Sequence, residues 1–279
     1  MPKTIIRMVS LVPICLWMSL SLLLARSQDQ PTGLAKALLG DNSFEFITVE
    51  QAHFRFHYQR DSFASSHLAS LQSDAKKARL KGLEILQEAD YPRAIDVFYL
   101  QSRAEMQRAI GFSVKGFSDW RSRTVLIVVN EEIRAYHAHE IMHILSSNLW
   151  GFPADSNHCF LEGLAIFADS PCMGYSLHEI AVFMAHKGLL IPLNTMFGSF
   201  RQQADVPSYM QAGSLVEYLI EMYGLDKFKK IWKEGPERLE HILGISLEEL
   251  EKRHERYLRE QYGRVPEVQW QVLLEKGCG

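Results

Sequence analysis

The sequence is poor in cysteine, in surplus charge and in repetition. Its four cysteines include no C-x-x-C pair, so nothing supports a zinc site built on paired thiolates. Thirty basic residues stand against 33 acidic ones, a net charge of −3, which lacks the basic surplus that a nucleic-acid-binding face needs. There is no low-complexity tract and no internal repeat. An apolar content of 47% with 23% charged residues is that of an ordinary globular protein, and 279 residues suffice for one large domain or two small lobes sharing a cleft.

One long apolar run is present, at the N-terminus. Met8 to Leu24 is uncharged, follows Lys3 and Arg7, and precedes the small-x-small site Ala25-Arg26-Ser27. Residues 1–27 therefore read as a secretory signal peptide cleaved after Ser27, making the protein exported, periplasmic or secreted. The alternative is an uncleaved membrane anchor over residues 8–24, though 17 residues containing Pro13 are marginal for a span of about 20. Cys15 has no lipoprotein-type surroundings. Without residues 1–27 the balance is 27 basic against 33 acidic, or −6. Cys159, Cys172 and Cys278 remain, an odd number that leaves at least one free thiol or an intermolecular bond. Cys159 and Cys172 bracket a helix whose ends would stand about 15 Å apart, so their pairing requires the following loop to fold back. Free, buried thiols are the expectation.

Two short segments carry the chemistry. His139-Glu140-Ile141-Met142-His143 places two imidazoles one helical turn apart on one face, where both can reach one zinc ion. Glu140, one step round, can touch a metal-bound water instead of the metal. Ile141, Met142, Ile144 and Leu145 bury this helix, and buried adjacent imidazoles need polar partners. After 18 residues comes Glu162-Gly163-Leu164-Ala165, inside the apolar stretch Cys159 to Asp169. A lone Glu in such a helix is rarely buried unless paired, which makes Glu162 the leading third ligand. Zinc with three protein ligands keeps an open position for water and lowers that water's pKa to about 7. Glu140 would then act as general base in peptide hydrolysis.

The pattern H-E-x-x-H followed after 18 residues by E-G-x-A resembles the gluzincin metallopeptidases, with the spacing of the aminopeptidase N-like branch and of bacterial peptidase MA-like domains. The resemblance implies Zn2+ held by His139, His143 and Glu162, with Glu140 catalytic, in an α+β, zincin-like fold. More loosely, Tyr209 to Gly224 resembles the later helix of peptidase MA-like domains, and Gly244 to Glu251 their closing helix, so the likeness covers about residues 44–262. Such enzymes pair substrate with an edge strand, for which Lys115–Trp120 and Thr124–Val129 are the alternatives. Related enzymes often use a Tyr or His from the later helix as oxyanion donor, which points to Tyr209, following Pro207-Ser208. The bland alternative is a ring packed on the core, and His178, His186 and His241 are weaker donors. The G-x-M-E-N segment that holds a substrate's free amine in aminopeptidase N-like enzymes has no counterpart here, which argues against a dedicated aminopeptidase.

Patterning divides the rest. Residues 28–43 read as a loose leader. Residues 44–133 read as an α/β lobe with a small sheet, residues 134–262 as a helical lobe with the zinc cleft between the two, and residues 263–279 as a tail. Phe44–Val49, His53–Tyr58 and Ala94–Leu100 have strand character. In the second, His53, Arg55 and His57 alternate with Phe54, Phe56 and Tyr58, which places the histidines on an exposed face. Ala64–Glu88 is helical, with Lys76-Lys77-Ala78-Arg79 on its solvated side. Ser102 caps a short helix, Ser246 with Glu249 fits a capping box, and Gly224, Gly235 and Gly263 are helix stops. Asp169, two turns after Glu162, either supports a ligand histidine or lies in solvent at the helix end. His158 could line the cleft.

The leading expectation is a zinc metallopeptidase acting on a peptide or protein. It has no nucleic-acid partner, and contacts a membrane only if the N-terminal segment is uncleaved. Two other functions fit the same residues: a catalytically weak zinc scaffold that binds partners at the cell envelope, and hydrolysis of a non-peptide amide or ester. The sequence sets no oligomeric state.

Overall fold

The computed structural model describes residues 30–262 and 264–278; the expected signal peptide and the stop at Gly263 lie outside them. The protein is α+β, with a mixed five-stranded sheet and, among the described residues, 13 α-helices. All five strands precede residue 130. None of the described helices is long and apolar enough to cross a membrane.

The sheet has the order β1 (Phe46–Gln51), β2 (Phe54–Gln59), β3 (Ile95–Leu100), β5 (Thr124–Val128), β4 (Gly116–Asp119). The three inner strands are parallel, and β1 and β4 are antiparallel edges. Parallel strands need covering on both faces, and their side chains divide accordingly. Phe54, Phe56, Ile95, Val97, Tyr99, Val125 and Ile127 join the main core, beneath α3 (Leu68–Leu86) and α5 (His137–Leu149). Phe98, Leu100, Leu126 and Val128 face a second cluster built with Ala35, Leu38, Phe44 and Met106. Those residues come from α1 (Gly33–Gly40), its sequel, and α4 (Arg103–Ile110), capped by Ser102, whose hydroxyl accepts from the Glu105 amide.

This second covering layer corrects two expectations. Residues 28–43 are no loose leader, because α1 supplies part of the lid on that face. His57 is not exposed: it is buried, its Nδ1 beside Thr48 Oγ1 at 2.9 Å and its Nε2 beside Asp96 Oδ1 at 2.9 Å. Asp96 also accepts two bonds from Arg55, each 2.7 Å. Alternation correctly separated His57 from Phe56, but both faces are covered, so the polar set is buried as a bonded network.

Past the sheet the chain runs through α6 (His158–Asp169), α7 (Leu177–Lys187), α8 (Leu193–Ser199), α9 (Asp205–Tyr223), α10 (Leu225–Glu234), α11 (Leu239–Leu243), α12 (Leu247–Gln261) and α13 (Trp270–Lys276). The main core cluster runs from Phe54 to Leu250, so the strand-bearing and helical parts share it. The short helix α2 (Phe63–Ser66) leads into α3. Arg79 on α3 is buried, and bonds Asp90 and the Tyr91 carbonyl instead of solvent. The full capping box forms at Ser176 and Glu179; Ser246 caps its helix without the reciprocal half.

The C-terminal segment is likewise no free tail. Helix α13 buries Leu273, and Cys278 forms a disulfide with Cys172. The expected free thiol survives only at Cys159, which is buried in α6. The Cys172 partner lies 106 residues away, far beyond any local geometry argument.

Candidate metal centre

Helix α5 starts at the sheet. Its first residue, His137, is buried, with Nε2 2.7 Å from the Tyr99 hydroxyl of β3. Burial pushes His137 down to about 4, so the ring stays neutral beside that hydroxyl. From this anchor His139 and His143 project toward α6. Helix α6 is capped by Asn157, whose side chain accepts from the Phe160 amide, and it presents Glu162 to both histidines. The glycine of the E-G-x-A segment has a packing reason: a Cβ on Gly163 would stand 2.6 Å from the Ala212 carbonyl of α9, so only glycine allows the helices to approach this closely.

Three ligand atoms converge. His139 Nε2 and His143 Nε2 are 3.1 Å apart, and Glu162 Oε2 is 3.3 Å from the first and 3.5 Å from the second. Donors bound at about 2.0–2.1 Å to a tetrahedral ion stand about 3.3 Å from one another. The donor set and its spacing therefore fit a metal ion. Charge points the same way. Burial disfavours a charged His139, but the bond to Glu162 and the neighbouring Glu140 outweigh it and lift the ring to about 9. Glu162, which burial alone would raise, is drawn well below the carboxylate range by His143 and His139. The pocket thus favours positive charge between these residues.

Glu140 lies beside the triad under β4. The Ser118 hydroxyl donates to it, with Oε2 at 2.5 Å and the Glu140 carbonyl at 2.9 Å both in reach. A Cβ at Gly116 would collide with the Glu140 carboxylate, so a side chain at residue 116 would displace Glu140 from its place under the strand. Of the two expected edge strands, the structure gives the edge to Gly116–Asp119; Thr124–Val128 is internal.

Tyr209 is one turn into α9 and stacks near His139, ring centroids 6.4 Å apart. Burial, and next the charge of Glu162, hold its hydroxyl well above the usual phenol range, so it stays a proton donor. Two cavities meet here, both lined by Gly116, His139, Glu140 and Tyr209. One, of about 290 Å³, continues past Trp120, His158 and Arg201; the other, of about 390 Å³, past Arg103, Lys115 and Cys278. A larger cavity of about 590 Å³ lies behind α5, along α3, away from the triad.

Asp169 has neither expected role. It pairs with Arg134 at 2.5 Å, tying the end of α6 to the loop before α5. His143 Nδ1 is buried without a hydrogen-bond partner. His178 lies elsewhere, against Glu217 and Glu221; His186 and His241 do not line either cavity at the triad. Gly116 and Ser118 fall inside the expected edge strand Lys115–Trp120, where neither was given a role of its own. Arg201, in the short 3-10 helix Phe200–Gln202, belongs to no motif. No protein-family model matches this chain, and no curated protein is significantly similar to it.

Proposed function

We propose that this protein is an exported zinc metallopeptidase of zincin-like architecture, with zinc held by His139, His143 and Glu162. The observation that carries the reading is the convergence of the three ligand atoms at 3.1–3.5 Å beside a buried Glu140. Bound zinc would supply Lewis acidity and make water a competent nucleophile near neutral pH.

The chain's own residues then divide the work. A peptide laid along β4 would pair with its free edge, which puts a carbonyl at the junction of the two cavities. Glu140 takes the proton of the attacking water on one carboxylate oxygen and delivers it to the leaving amine. Ser118 fixes one carboxylate oxygen, so the other faces the reacting atoms in a set direction. Tyr209 donates its hydroxyl proton in a hydrogen bond to the developing oxyanion. With no amine-holding segment, cleavage inside a chain is favoured over removal of its first residue.

The test is a quenched peptide library cleaved by the mature protein, with chelation, zinc re-addition and Glu140→Gln as arms. Chelation abolishes cleavage and zinc restores it. Glu140→Gln keeps its zinc and loses about 10²–10⁴-fold in turnover. Proteolysis that survives both treatments overturns the reading.

A further inference from the structure

A second group of His and Glu side chains lies on the far part of α9. His178, near the start of α7, directs Nε2 at Glu221 Oε2, 3.5 Å away, and Glu217 Oε2, 3.7 Å away. The three ligand atoms all lie within 4.8 Å of one another. His178 is only 5% exposed, yet its Nε2 makes no well-formed hydrogen bond, with Glu221 Oε2 at the outer limit of reach at 3.5 Å, and the buried Oε2 of Glu217 has no partner. Leaving such atoms unmade is costly unless something joins them.

A direct His–carboxylate bond would close this gap, and elsewhere the protein makes one: His57 Nε2 sits 2.9 Å from Asp96 Oδ1. The His178 distances are instead close to the 3.3 and 3.5 Å of the His139–His143–Glu162 triad, the separation set by a shared ion. The other ring nitrogen is oriented as a ligand histidine's should be. His178 Nδ1 is 2.9 Å from Ser214 Oγ, which is itself 3.1 Å from His254 Nε2. Tyr257 donates to Glu221 Oε2 at 2.8 Å. Glu217 and Glu221 are one turn apart on α9, where like charges repel. Lys81 acts on Glu217 electrostatically, but its ammonium donates to the Ser170 carbonyl at 2.7 Å. The Ser214–His178–Glu arrangement is no nucleophile relay, because Ser214 is fully buried and no substrate reaches it.

We propose that His178, Glu217 and Glu221 form a second, structural zinc site that joins α7 to α9. One histidine and two carboxylates are a zinc-competent donor set. Glu221, with a side chain 46% exposed, gives the ion a route in and leaves room for a water. The site lies eight residues beyond Tyr209, about 12 Å along the helix, so it steadies α9 without touching the cleft. It stands independently of the function proposed above.

The experiment is a zinc titration of metal-stripped full-length chain by calorimetry, with thermal unfolding alongside. His139→Ala/His143→Ala removes the cleft imidazoles; this variant is expected still to take up one zinc per chain and to unfold at a higher temperature when loaded. Adding Glu217→Gln or Glu221→Gln, which keep side-chain shape, is expected to weaken that uptake by at least ~100-fold. His178→Ala should abolish it, and the two Gln variants decide the matter if that protein does not fold. A folded double variant that binds no zinc at ~100 μM overturns the proposal. So does zinc uptake in the double variant that neither Gln substitution weakens. If the wild type binds a single zinc that survives loss of His139 and His143, this site stands and the cleft site falls.

Discussion

Helix α9 runs between two clusters of similar composition. Near its start, His139, His143 and Glu162 face Tyr209; farther along, Glu217 and Glu221 face His178. The His–carboxylate distances in the two groups are alike, and the surroundings are not. The first borders two cavities, lies under an edge strand and has a spare carboxylate, Glu140, on the ligand helix. The second is backed by Ser214, His254 and Tyr257, and lines neither of those cavities. Donor identity fixes what can be bound. Space, a base beside the ligands and a strand edge fix whether anything can be done with it.

A third His–carboxylate contact, His57 with Asp96, calibrates the other two because it is closed by hydrogen bonds and an arginine. Asp96→Ala removes the two buried bonds from Arg55 and the one beside His57, and should cost about 3–5 kcal/mol, the same with and without chelator, as read by denaturant unfolding. A chelator-dependent loss would make this network part of a metal site and break the comparison. At the cleft, Tyr209→Phe should lower turnover about 10²–10³-fold with zinc content unchanged, measured by cleavage rate beside metal analysis. A rate within twofold of wild type would return Tyr209 to the core. Gly116→Ala forces Glu140 from its place under β4 and should cost about 10²-fold in rate while zinc stays bound. Unaltered catalysis would show that the strand does not position the base.

Acid tests the second cluster's backing. Burial, and next the neighbouring His178, push His254 down to about 3. Its unfolded form binds a proton below about 6.5, while the folded form does so only near 3. Stability from keeping it neutral is therefore complete above about 6.5 and is lost progressively as pH falls toward 3. His254→Gln should flatten that part of the stability curve, measured by unfolding across pH. An unchanged slope would remove His254 from the account.

How much of this could be read from sequence depends on where the partners lie. Spacing of i to i+4 put His139 and His143 on one face, and a lone Glu in an apolar helix singled out Glu162. Local caps placed the helices after Ser102 and Ser246. Features joined through space were hidden. Helix α1 has only eight residues, and its reason to exist is the sheet face it covers. Cys278 meets Cys172 across 106 residues. His178 gave no motif, because its partners are on another helix and neither Glu217 nor Glu221 is odd in a helix partly exposed to water.

The meeting of two cavities at Gly116, His139, Glu140 and Tyr209 also bears on the order of events after bond breakage. Under the proposed function, a peptide cut at that junction would have its halves in separate chambers, one beside Arg201 and His158, the other beside Lys115 and Arg103. Departure of one fragment would then not wait for the other. Turnover would be paced by whichever chamber empties more slowly, and side chains far from the cut bond would set that pace.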